Sequence, residues 1–447
     1  MPRPLPRWTL SASHESGVHI SRLALAAFTL PVLLFQAIEM TWRAYLPRFL
    51  HQDVGLAMGV IGALMLGARL LDALADPVIG GLSDGMRTRF GQRKPWMMLG
   101  ALLVPMGVLP LFLAPPGTSL TMIVGASLLL HLGYSLIITP HGGWGLEFSS
   151  DPHQRTRVMG AKVWFGLAGS FGLLGVMAFL EQGLQVTLRT EMKWLGWIVA
   201  FVAPVTVLIP VLLFQESRSA PPAAAKNPFR YCARMLEQPQ MRRVLILYGI
   251  TGVGEASSAS SFLFLTEEVL TLQRWGATLL LIQPISALVA LPIWSQLRRT
   301  IGRERVLIIA YGWQAICAGA LFLAPSGVAI AFALLLGIKG LGWGVDFMLL
   351  RAMVADSAGR DEGQAVVAGS YYGFSSIALK IAMGIGSGGA SWALGWVMNL
   401  DDSGLRFIGI RSIYTLPMFL GGLAGIFILL RRTPSFQKLA DSVVVSG

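Results

Sequence analysis

Asp72 and Asp76 are the residues of this 447-residue chain whose type and spacing bear most directly on chemistry; they stand in Arg69-Leu-Leu-Asp72-Ala-Leu-Ala-Asp76-Pro77. A spacing of four puts both carboxylates on one face of a helix, about 5–6 Å apart at Cβ. Two such groups repel unless a cation or proton lies between them, and they titrate as a pair. The arrangement can capture Na⁺ or H⁺ and release it when the geometry changes. Arg69, one turn before Asp72, offers a structural alternative, an ion pair with Asp72 that leaves Asp76 to cap another group. One arginine does not compensate two aspartates, which favours ion binding. Lys380 comes next, in Ile377-Ala-Leu-Lys380-Ile381 ahead of a glycine-rich run. Its carboxylate partner is either the Asp72/Asp76 pair or a nearer acid, Asp346 or Asp356.

These charges matter because of what surrounds them. Hydrophobic residues make up 54% of the chain and charged residues 13%, with a mean hydropathy of +0.64. An average soluble domain has roughly 25% charged residues. A chain so poor in charge cannot cover itself in water, and disorder requires low hydrophobicity. The sequence therefore predicts a polytopic membrane protein, with roughly 20 apolar residues per span. A charge at the bilayer centre costs roughly 2.5–3.5 kcal/mol even on the lenient scale, so each one calls for a reason.

Apolar stretches recur at 21–50, 54–82, 96–114, 118–148, 158–182 and 194–214, then at 243–270, 275–297, 305–324, 326–355, 364–396 and 405–430. None alternates with period two, so helices are expected rather than a barrel. The expected organisation is a cytoplasmic N-tail (1–20), a six-helix bundle (21–214), a cytoplasmic linker (215–242) that contains Pro221 and Pro222, a second six-helix bundle (243–430) and a cytoplasmic C-tail (431–447). This is an all-α membrane protein of twelve transmembrane helices in two pseudo-symmetric halves, the outline of a major facilitator transporter. The segments Asp84–Lys94 and Gln296–Arg305 echo each other, each with a glycine between basic residues.

The net charge is +12. With both termini placed in the cytoplasm, 24 of the 35 Lys and Arg fall on that side and 6 on the other. Cytoplasmic loops collect such residues, so the excess base reports orientation and gives no ground for a nucleic-acid partner. Cys232 and Cys317 form no disulfide framework or metal spacing.

Other polar residues sit in the apolar stretches. Gln36 could hydrogen-bond a solute hydroxyl, while Glu39 and Arg43 have the spacing of a helical ion pair. In Thr139-Pro140-His141-Gly-Gly-Trp144-Gly-Leu-Glu147, helix-breaking residues point to backbone surrounded by protein or a cavity. Trp144 could stack on a sugar ring or anchor at the interface. His141 could titrate near neutral pH or only hydrogen-bond a neighbouring helix. Lys339, Asp346, Arg351 and Asp356 read as a balanced structural or gating network within one span. Glu255, in Gly252-Val-Gly-Glu-Ala-Ser-Ser258, holds in the second half the place of Gln36 or Glu39 in the first.

At these residues the chain resembles the glycoside–pentoside–hexuronide:cation symporters, a melibiose permease-like branch of the major facilitator superfamily. The likeness is carried by Arg69-x-x-Asp72-x-x-x-Asp76-Pro77-x-x-Gly80, by Asp84-x-x-Arg87-Thr-Arg-x-Gly91-x-x-Lys94-Pro-Trp96, by Pro140 … Glu147 … Asp151 … Arg155-Thr-Arg157, and by Lys380. It implies cation coupling by Asp72 and Asp76 (metal ligands if the ion is Na⁺), with Lys380 reporting occupancy. Arg69, Asp84, Arg87, Glu147, Arg155, Asp346 and Arg351 are then gating or structural charges. Gln36, His141, Trp144 and Lys162 are the candidate substrate residues.

Departures from the family pattern are specific. Ala75 stands where melibiose permease has an asparagine between the aspartates. Its span 4 aspartate falls at Ile138, its sugar-binding span 1 aspartate at Gln36, and its span 5 arginine at or beside Lys162. Fewer oxygens remain around the cation, which favours H⁺ over Na⁺. The expectation is an inner-membrane symporter, a monomer without a cofactor, that carries a sugar, glycoside or related solute by alternating access. The alternative cargo is a lysolipid-like amphiphile. A membrane-embedded enzyme would need acidic or His clusters in its loops, and loop acids here are sparse.

Overall fold

The computed structural model describes residues 20–86, 88–147, 152–216, 235–359 and 367–431. Most of the expected tails and linker lies outside the described residues. The chain is helical nearly throughout. The first set comprises α1 (Arg22–Met40), α2 (Met58–Gly85), α3 (Lys94–Phe112), α4 (Leu120–Glu147), α5 (Pro152–Ala178) and α6 (Leu188–Leu213). The second comprises α7 (Pro239–Phe264), α8 (Gly276–Ile301), α9 (Arg303–Phe322), α10 (Ala329–Leu341), α11 (Val345–Gly359), α12 (Val367–Met398) and α13 (Ser403–Leu430).

Among the described residues, eleven helical stretches are long and apolar enough to cross a membrane. The first, Arg22–Val54, continues α1 through two π-helical turns, Thr41–Tyr45 and Leu50–Val54. Another, Ala329–Val354, joins α10 to α11. The helix α7 has the length, 26 residues, but its Ser- and Gly-rich middle makes it less apolar. Large apolar side chains face outward, among them Phe201 at 75% and Leu323 at 78% exposure. Such faces suit hydrocarbon and would be costly in water.

The chain divides into two compact units, Met1–Leu56 with Leu70–Lys226, and Ala57–Arg69 with Asn227–Gly447. In the first, α1 packs on α5 and α6, and α3 on α4 and α6. In the second, α7 packs on α12 and α13, α9 on α13, and α8 on α10. The α7–α12 approach needs a glycine. A Cβ at Gly386 would lie 2.5 Å from the Val253 carbonyl oxygen, so any larger residue forces these helices apart.

The echoed turns both hold glycine with positive φ, +121° at Gly91 and +83° at Gly302. At the first of them Glu216, just past α6, closes the N-terminus of α3. Its carboxylate accepts from the backbone N–H groups of Gln92 (2.5 Å), Arg93 (3.1 Å) and Lys94 (2.7 Å). These are donors that a helix start leaves unsatisfied, and the negative charge suits the helix dipole. Glu216→Ala is expected to lower stability by about 1–2 kcal/mol, the scale of a lost N-cap, read as a lower melting temperature of the purified protein.

Candidate cation-coupling site

The α2 stripe of Asp72 and Asp76 meets a matching stripe on α4. His131, Ser135 and Thr139 are spaced by four, so they share a helix face. Asp72 is fully buried, and His131 Nδ1 lies 3.0 and 3.1 Å from its two carboxylate oxygens. One turn on, the Thr139 hydroxyl donates to Asp76 Oδ1 at 3.1 Å. Trp42 stands edge-on to the His131 ring, 4.2 Å between centroids. It comes from the π-helical turn Thr41–Tyr45, a distortion that often marks functional positions. Pro77, inside α2, lacks the N–H that would bond the carbonyl of Ala73. Among the described residues, His131 Nε2, Ser135 Oγ and Trp42 Nε1 are buried without a hydrogen-bond partner.

A buried aspartate needs a donor or a counter-ion. His131 supplies one to Asp72, as a neutral ring or as an imidazolium, and the Thr139 hydroxyl on the same stripe serves Asp76. Sequence reasoning singled out His141 and passed over His131. The signal for His131 was the four-residue spacing that continues through Ser135 to Thr139.

His141, Trp144 and Lys162 come together at a second place in the first unit, around Phe28. The His141 ring stacks on Phe28 at 4.8 Å, and its Nε2 lies 2.9 Å from the Phe28 carbonyl. Trp144 packs edge-on to Phe28 at 5.3 Å. Lys162 donates to the His141 carbonyl at 2.9 Å and lies over the Phe28 ring. His141 and Trp144 are buried, whereas Lys162 and Gln36 are half-buried. Lys94 lies over the Trp144 ring at 5.7 Å, so aromatic faces here meet two lysines.

In the same unit, Arg43 pairs with Glu39 at 3.9 Å, as their spacing suggested. Arg69 is buried and its stem lies where a side chain at Gly384 of α12 would project. Lys380 is half-buried on α12. Arg87 lies outside the described residues, as do the side chains of Asp84, Glu147 and Arg155. Asp346 is buried and accepts from Gln314 at 3.0 Å, while Arg351 is exposed. Lys339 and Asp346 do not share a continuous helix. The turn at Gly342–Gly344, with φ +79° at Gly344, separates them onto α10 and α11.

The model of the MFS/sugar transport protein family matches residues 27–430. The chain belongs to this family. MFS/sugar transport proteins similar to it include the putative glycoside/cation symporter YagG of Escherichia coli (strain K12), 32% identical over 31% of this chain and 32% of the relative. Its glucuronide carrier protein homolog, from the same organism, is 24% identical over 88% of this chain and 89% of the relative. The matches with the first relatives span about a third of each. A solved D-xylose-proton symporter has the same fold, with a TM-score of 0.66, 15% identity, and coverage of 90% of this chain and 96% of that one. The α2 motif and the named symporters place the chain in the glycoside–pentoside–hexuronide:cation symporter branch. Its long apolar helices are those of a multi-pass membrane protein.

Proposed function

We propose that this protein is a secondary active symporter that moves a sugar or glycoside with H⁺ by alternating access. The observation that carries the reading is the fully buried Asp72 on His131, with Asp76 one turn away. Occupying these carboxylates removes their repulsion and favours the solute-binding conformation. Both Asp72 oxygens already face an imidazole nitrogen, and one hydroxyl reaches Asp76. That leaves few oxygens for Na⁺, whereas a proton needs a single carboxylate oxygen. Lys380 would report occupancy from the second half. Lys162, Gln36, Trp144 and His141 would face or support the solute. The protein would be a monomer in the inner membrane with both termini cytoplasmic.

The experiment is uptake into vesicles of a panel of sugars, glycosides and a lysolipid, with pH and Na⁺ gradients imposed separately. A sugar or glycoside is expected to accumulate under the pH gradient. Accumulation under the Na⁺ gradient alone would overturn the ion. Uptake of the lysolipid alone would overturn the cargo in favour of the amphiphile reading, which the missing sugar-binding acids allow.

A further inference from the structure

We propose that the C-terminal half carries its own site for a small monovalent cation, Na⁺ or hydronium, with Glu255 as its carboxylate ligand. The site goes beyond the symport reading and does not depend on it.

Glu255 follows Thr251 by one helical turn on α7. Together with Gln314 of α9 and Met418 of α13 they line a small pocket that admits a water molecule. The pocket holds neutral oxygens besides the carboxylate. Gln314 donates from Nε2 to Asp346 Oδ2 at 3.0 Å, which leaves its amide oxygen for another partner. Thr251 Oγ1 lies 3.0 Å from the Tyr311 hydroxyl. A carboxylate with amide and hydroxyl oxygens is ligand chemistry for a hard monovalent ion.

Charge balance points to the same place. Asp346 is 1% exposed, and its charge is served by Gln314 Nε2, the Phe347 N–H at 2.9 Å and the Thr251 hydroxyl. No hydrogen bond among the described residues reaches Glu255. Lys339 is 3% exposed, lies 5.4 Å from the centre of the Tyr414 ring, and is within electrostatic range of Glu255. Glu255 in turn acts on Asp346 and Tyr414. One lysine balances one of the two acids, and the second negative charge is left beside the pocket. Tyr414 Oη is buried without a hydrogen-bond partner among the described residues.

The other charged groups on elements packed against α7 are placed differently. On α13, Arg406 and Arg411 bond the carbonyls of Leu400 and Phe322. Glu267 and Glu268 lie about three turns further along the chain from Glu255. On α12, Lys380 follows Leu379, whose carbonyl faces Gly252. Arg351 of α11 is exposed. Glu255 is half-buried beside the buried Asp346 and Lys339; an excess charge in such a cluster is costly unless paired, and a cation in the pocket supplies the partner.

The test uses the full chain in nanodiscs with Asp72→Asn and Asp76→Asn, which removes the first site. Its melting temperature is followed as NaCl replaces choline chloride at constant ionic strength, and separately as pH is lowered without Na⁺. A rise in the first series identifies Na⁺, and a rise in the second identifies proton uptake at the site, as hydronium or as a carboxyl proton. Adding Glu255→Gln is expected to abolish that rise. Thr251→Val, in the same background, is expected to weaken the apparent affinity several-fold, and it decides the matter if the triple variant does not fold. A structural role alone would move the melting temperature equally at every ion concentration. The proposal is overturned if neither series shifts the background protein, or if its response survives Glu255→Gln or is unchanged by Thr251→Val. No solute is moved in this experiment, so failure of the symport reading would not alter its outcome.

Discussion

His131→Leu is expected to destabilise the purified protein by about 3 kcal/mol. Removing the donor to a buried acceptor costs about 1–3 kcal/mol, and more when the acceptor is charged; the upper end applies because Asp72 is fully buried. The leucine is near the imidazole in bulk, so loss of packing against Trp42 is a minor part. Adding Asp72→Asn removes the stranded carboxylate, so the double variant should recover part of the loss. Chemical unfolding of the four proteins in a double-mutant cycle should give a coupling of about 1–3 kcal/mol. Additivity to within about 0.5 kcal/mol would show that the two groups do not act as a pair.

Lys339→Met is expected to cost a similar amount, about 3–5 kcal/mol. The lysine is 3% exposed, lies over the Tyr414 ring and is within electrostatic range of Glu255. Without it, the buried Asp346 and the half-buried Glu255, which repel each other, have no lysine to offset them. Methionine keeps most of the lysine stem's packing, which isolates the charge. Glu255→Gln, added second, should restore much of the loss by removing one of the two like charges. The melting temperatures of the three variants and the parent check this. Equal damage from Lys339→Met with and without Glu255→Gln would place the lysine's partner elsewhere.

The α2 carboxylates were legible because charge is scarce and expensive in these stretches. Asp72, Asp76 and their shared face follow from spacing alone, and so do the helical class and the Glu39–Arg43 pair. What sequence does not contain is the register between helices. His131 is 59 residues from Asp72; the spacing of His131, Ser135 and Thr139 marks a polar face of α4, but not that this face meets α2. Glu216 caps a helix that starts 122 residues earlier, which no local pattern can signal. Lys339 and Asp346 read as parts of one network within a span; they do share the stretch Ala329–Val354, but the chain turns at Gly342–Gly344 between them, and Lys339 lies over the Tyr414 ring.

The central claim is that Asp72 and Asp76 tie solute movement to an ion. It is tested most directly in vesicles loaded with the parent protein or with Asp72→Asn and Asp76→Asn, using the solute found by the uptake panel. One pH unit is worth about 1.4 kcal/mol per proton, so one coupled H⁺ supports about tenfold accumulation. The parent is expected to approach that ratio, and the double variant to reach only equal concentrations while still exchanging solute in counterflow. Undiminished accumulation by the double variant would contradict the account.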